Sequence, residues 1–126
     1  MAALGGGPTR WVLVSRDEDL GRRLAELAAG AGLVLEQVGE AEALRRCGAG
    51  PGHLDRALVD LNVGEAVLPC VEALRRGPCN PEIIAFLDHF VGDLPIRAKL
   101  AGADRVVPRE QLLRELGRPA TPDDSA

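Results

Sequence analysis

The sequence predicts a three-layer αβα fold, with five parallel strands doubly wound in the order 2-1-3-4-5. Three observations carry this. Short apolar runs, such as Trp11-Val12-Leu13-Val14 and Ile83-Ile84-Ala85-Phe86-Leu87, alternate with segments whose apolar residues recur at helical spacing. Strands buried on both faces read as such continuous runs. Regular strand–helix alternation implies βαβ units with right-handed crossovers. The third run, Arg56-Ala57-Leu58-Val59-Asp60-Leu61, carries one carboxylate to its end, where open α/β sheets gather ligands and chemistry.

Each element has its own signal. Trp11 to Val14 is too short for a helix and rich in β-formers. Asp17, Glu18 and Asp19 suit a helix N-terminus, and Leu20, Leu24, Leu27 and Ala28 form one face of the helix that follows. Gly30 and Gly32 end it. Leu33 to Val38 is the second strand, and Glu40 to Cys47 a short helix with Ala43 and Leu44 inward. Gly48-Ala49-Gly50-Pro51-Gly52 is a loop. After the Asp60 strand, Glu65 to Arg76 reads as helix with Val67, Leu68, Val71 and Leu74 as its stripe. Pro69 sits awkwardly inside it, so the alternative start is at Pro69, with Pro in the first turn. Gly77-Pro78-Cys79-Asn80-Pro81 is a turn before the fourth strand. Asp88-His89-Phe90-Val91-Gly92 is a loop. Asp93 is placed to cap a helix with Pro95 in its first turn and Ile96 and Leu100 inward. Arg105-Val106-Val107 is the fifth strand, and Pro108 to Leu116 the last helix, stopped by Gly117. These boundaries divide the chain into a flexible tail over residues 1–9, one domain over 10–117 and a disordered tail over 118–126.

Composition narrows the function. A chain of 126 residues supports one hydrophobic core. The formal net charge is -4 and only 2% of residues are aromatic, so neither a basic phosphate-binding face nor stacking platforms are expected, which argues against nucleic-acid binding. No apolar stretch reaches the roughly 18 residues of a membrane span, and no signal peptide is evident. Three cysteines without a Cys-x-x-Cys pair suggest reduced thiols and a cytoplasmic protein. Cys47, Cys70 and Cys79 read as small apolar residues, and His53 and His89 as solvated loop residues. No Gly-rich phosphate loop follows a strand, and no nucleophile–base pair stands out, so a small nucleotide-binding enzyme is disfavoured.

With Val12-Leu13-Val14 before an acidic turn, Ala57-Leu58-Val59-Asp60-Leu61, Ile83-Ile84-Ala85-Phe86 and Ala101-Gly102-Ala103-Asp104, the chain resembles the receiver domain of two-component response regulators, a flavodoxin-like fold. The nearest type is the chemotaxis-type single-domain receiver. The resemblance runs from about residue 10 to residue 117. It implies an acceptor aspartate at the end of the third strand, two acidic residues after the first that help hold Mg²⁺, a Thr or Ser ending the fourth, and a Lys ending the fifth. Phosphoryl transfer needs its charge neutralised and its oxygens held in line.

Residue by residue, the match breaks. The acceptor position is Asp60. Asn62 falls where a backbone carbonyl would meet the metal. The acidic positions fall on Ser15 and Arg16, and a one-residue slip brings in Asp17 beside Arg16. Leu87 replaces the Thr or Ser, and Arg109 replaces the Lys. With Arg16 and Arg109 nearby, Asp60 is expected as a paired anion, its pKa lowered by opposite charge. The expectation is therefore a degenerate pseudo-receiver that needs no cofactor, binds Mg²⁺ poorly and works without catalysis as a protein-interaction adaptor. The alternative is a phospho-accepting regulator, switched at Asp60 by a histidine kinase and using Mg²⁺. The resemblance puts signalling partners, and a homodimer contact, on the face from Asp93 to Leu116. Arg97, Lys99, Arg105, Arg109 and Arg114 lie there and suit an acidic or mixed protein face.

Overall fold

The computed structural model describes residues 9–39, 42–43, 54–77, 81–89 and 92–117. Five strands form one parallel sheet: β1 (Thr9–Val14), β2 (Leu33–Val38), β3 (Arg56–Asp60), β4 (Glu82–Leu87) and β5 (Arg105–Pro108). Their order is β2-β1-β3-β4-β5, the common doubly wound order at this size. Four helices are described: α1 (Glu18–Gly30), α2 (Leu68–Arg76), α3 (Leu94–Ala101) and α4 (Arg109–Gly117). The expected helix over 40–47 lies mostly outside the described residues, as do the 48–52 loop, His53, Cys47, Cys79 and the two tails apart from Thr9. Glu42 and Ala43 are helical, and Ala43 is buried. Thr9 and Arg10 extend β1 beyond the apolar run.

Period-two alternation in the buried strands sorts side chains onto two faces. Ala57, Val59, Ile83, Ala85 and Leu87 pack with Val67, Leu68, Val71 and Leu74. Leu58, Ile84 and Phe86 pack with Leu13, Leu20, Leu24 and Leu112 on the other face. Each fully buried Val, Leu, Ile or Phe among them contributes about 1.5–3 kcal/mol of transfer free energy. α1 begins where Asp17 Oδ1 accepts from the Leu20 N–H at 3.0 Å, with Glu18 and Asp19 in its first turn.

The helix after Asp60 starts beside Pro69, the alternative start that Pro69 signals, and not at Glu65. Two 3-10 turns, Leu61–Val63 and Glu65–Val67, precede α2, which begins at Leu68 with Pro69 in its first turn. Ile96 and Leu100 do not face inward: they are 63% and 82% exposed, and Ala98 is the buried residue of α3. Apolar residues lie all round this helix, so their spacing does not select a face; the small Ala98 is the residue that fits against the sheet layer. Asp93 holds the N-cap position of α3, but its side chain makes no capping hydrogen bond. Its backbone carbonyl accepts from the Arg97 N–H at 2.9 Å instead.

Candidate functional site

β1, β3, β4 and β5 run parallel, so the turns after them share one end of the sheet. Asp60 ends β3 there and is only 4% exposed. Its Oδ2 accepts from Ser15 Oγ at 2.7 Å. Its Oδ1 accepts from the Asn62 N–H at 2.9 Å, which makes Asp60 the side-chain cap of the first 3-10 turn. Ser15 is 3% exposed, and its hydroxyl oxygen accepts from the Asp17 N–H at 3.0 Å. A chain of hydrogen bonds thus runs from the Asp17 amide through the Ser15 hydroxyl to Asp60. Among the described residues no buried side-chain polar atom lacks a partner.

The structure brings Ser15 and Asn62 onto Asp60 and rearranges the expected charges. Arg109 spans the end of the sheet and ion-pairs with Asp17 and with Asp88, each at 3.6 Å. Its charge answers those two carboxylates, where Asp60 had been expected as its partner. Arg109 opens α4, and its long side chain reaches the half-exposed acids at the rim, while Asp60 is buried behind Ser15. Arg16 is exposed. The two hydrogen-bond donors on Asp60 are uncharged, a hydroxyl and a peptide N–H. Leu87 ends β4 as a buried apolar residue in the Val59 and Leu61 cluster. Asn62 is exposed, and its Oδ1 accepts from the Asp88 N–H at 3.2 Å, tying the turn after β3 to the end of β4.

The residues at this end do not fit a Mg²⁺ ion. Such an ion favours a set of oxygen ligands with free carboxylates among them. Here both Asp60 oxygens already accept hydrogen bonds, and Asp17 divides its carboxylate between the α1 cap and Arg109. Among the described residues no group of three or more His, Cys, Asp and Glu could hold a metal ion.

Sequence reasoning missed Asp88 and Gln37. Asp88 follows an apolar strand directly, the pattern that singled out Asp60. Gln37 is a polar residue in step with the half-buried Leu33 and Leu35; that break in alternation was its signal. Of the expected partner-face residues, Arg97 pairs with Glu65 at 2.9 Å and Arg105 with Glu115 at 2.7 Å. Lys99 Nζ donates to the Asp104 carbonyl at 3.4 Å, and Arg114 is exposed.

A 2-1-3-4-5 sheet with an aspartate closing its third strand is a doubly wound, flavodoxin-like α/β domain. Among solved structures the chain is similar to a response regulator from Thermotoga maritima, at 19% identity and a TM-score of 0.69, covering 87% of this chain and 95% of that one. It is similar to the phosphorylated cyanobacterial phytochrome response regulator RcpA, at 16% identity and a TM-score of 0.71, covering 88% and 90%. It is also similar to HP1043, an orphan response regulator of H. pylori, at 15% identity and a TM-score of 0.68, covering 89% and 98%. No protein-family model and no curated protein matches the sequence. The fold is that of response-regulator receiver domains. No helix among the described residues is long and apolar enough to cross a membrane.

Proposed function

We propose that this domain is a receiver-like signalling module that acts by binding protein partners, independently of phosphorylation and of Mg²⁺, and that it is not an enzyme. The observation that carries this reading is the closure of Asp60: a buried carboxylate with Ser15 Oγ on one oxygen and the Asn62 amide on the other. A nucleophilic carboxylate needs a free oxygen lone pair facing its phosphoryl donor and a cation to draw off charge. One hydrogen bond on each oxygen leaves Asp60 lone pairs, but a hydroxyl at the Ser15 position, Leu87 at the end of β4 and Arg109 engaged by Asp17 and Asp88 supply no free cation. The partner face is β5 with the helices on either side of it. Because Arg97 and Arg105 are already paired within the chain, that face presents mixed charge around Lys99, Arg114 and the exposed Ile96 and Leu100.

An amide NMR titration with Mg²⁺, then with beryllofluoride as the acyl-phosphate mimic, tests the reading. The expected result is no shift at Asp60, Leu87 or the β5–α4 junction at millimolar ligand. Saturable shifts at those residues would overturn it. They would establish the second reading, a phospho-accepting regulator switched at Asp60, which the similarity to a phosphorylated regulator favours.

A further inference from the structure

We infer that Gln37 is a positioning residue for this site, locking the turn between β1 and α1 so that Ser15 stays on Asp60. The inference deepens the closed-site reading. Gln37 lies near the end of β2, an edge strand, and touches neither Asp60 nor Arg109 through any hydrogen bond described above. Its Nε2 donates to two carbonyls of the turn, Ser15 O at 3.1 Å and Asp17 O at 3.0 Å. Two carbonyls facing one amide fix its orientation, because only the NH₂ end can serve both. The Asp17 carbonyl also accepts from the Gly21 N–H at 3.0 Å, inside α1. Gln37 therefore joins the last residue before the turn to the first turn of the helix.

Gly21 explains how the side chain gets there. A glycine within a helix costs stability relative to alanine, so one that persists calls for a packing reason. Here a Cβ on residue 21 would overlap Oε1 and Cδ of Gln37. The space left by the missing methyl is the space Gln37 occupies. β2 holds the turn a second way, through the Ser15 N–H donating to the Val38 carbonyl at 3.1 Å. The backbone bond fixes where Ser15 leaves the strand, and Gln37 fixes the course of the turn beyond it. The course of that turn decides whether the Ser15 hydroxyl points at Asp60 and the Asp17 amide points at Ser15. A sheet-edge residue thus sets the state of a carboxylate two strands away.

Amide hydrogen exchange on the intact chain tests this without any cation or phosphoryl mimic, so its outcome is separate from that of the titration above. Three variants are compared. Gln37→Leu removes the amide, Gln37→Glu keeps its size but loses both donors, and Gly21→Ala displaces the far end of an unmodified Gln37. Gly21→Ala is the decisive variant, because alanine is the better helix former and the fold survives the change. All three are expected to speed exchange at the Asp17 and Asn62 amides by at least about ten-fold, with Leu58 and Ile84 unchanged as markers of global opening. Adding Gly21→Ala to Gln37→Leu should give no further acceleration, since both changes remove the same contact. Wild-type exchange at Asn62 in Gln37→Glu and Gly21→Ala would overturn the inference. So would acceleration spread evenly over Leu58 and Ile84, which would make Gln37 an ordinary packing residue.

Discussion

Asp60 and Asp104 stand at opposite ends of the sheet, and each ties two neighbouring segments together through one carboxylate. Asp104 precedes β5. Its Oδ2 accepts from the Ile83 N–H at 2.8 Å and from Arg75 Nη2 at 2.6 Å, while Arg75 Nε donates to the Gly102 carbonyl at 3.1 Å. A guanidinium from α2 thus neutralises it where water still has access. Asp60 is nearly sealed and receives a hydroxyl and a peptide N–H. A partly exposed carboxylate can be held by charge at modest desolvation cost, whereas a sealed one depends on complete hydrogen bonding. The end built on an ion pair is a structural joint. The end built on uncharged donors is the one where sheets of this topology place their function.

The largest effect is expected at the joint. Gly102 has φ +131°, and a Cβ there would come within 2.9 Å of Arg75 Cβ. Gly102→Ala should cost roughly 3 kcal/mol, from backbone strain together with displacement of Arg75. The urea denaturation midpoint reads this, and the amide shift of Asn62 should not move. A cost below about 1 kcal/mol would mean that the joint yields easily and that the contrast between the two ends is false.

Ser15→Ala probes the other end and should cost about 2 kcal/mol, the range for leaving a buried charged acceptor short of a donor. The loss should appear with faster exchange at the Asp17 amide, whose acceptor is the same hydroxyl. A loss under about 0.5 kcal/mol would show that Asp60 finds another donor and does not depend on Ser15.

Much of this was legible in the sequence, for reasons visible in particular residues. Five apolar runs between helical patterns gave the parallel sheet, because strands covered on both faces favour continuous apolar runs such as those through Leu58, Val59, Ile84 and Phe86. The strand order followed from the common doubly wound arrangement at this size. Ser15 and Asn62 were expected in the same pocket as Asp60, since register in a parallel sheet carries the turns after β1 and β3 to one edge. The pairing of Arg109 was not legible. Which of three nearby carboxylates an arginine meets depends on the depth of each, and depth follows from packing rather than spacing. The Ala-Gly-Ala-Asp stretch could be noticed but not explained until Arg75, nearly thirty positions earlier, was seen to fill the space over Gly102. Ile96 and Leu100 misled because α3 has no single apolar face.

The smallest effect concerns acid, and it compares the ends once more. Beyond Asp60, the Glu65 carboxyl is held below its ordinary value of 4.5 by the hydrogen bond from Arg97 and by that residue's charge. Toward the Asp104 end, Glu115 is held below the same value, first by its hydrogen bond from Gln111 and then by Arg105. A carboxyl whose folded value is depressed binds its proton more readily when unfolded. The stability it contributes is therefore fully present above about pH 4.5 and is lost as the pH falls through the folded value. Both groups are solvent-accessible, so the contributions are small and weaken with salt. Denaturation midpoints followed from pH 6 down to pH 3 should fall less steeply in Glu65→Gln and in Glu115→Gln than in the parent chain. The two slopes should change independently, because these pairs share no residue. A parent profile unchanged by both substitutions would show that neither ion pair sets the acid sensitivity.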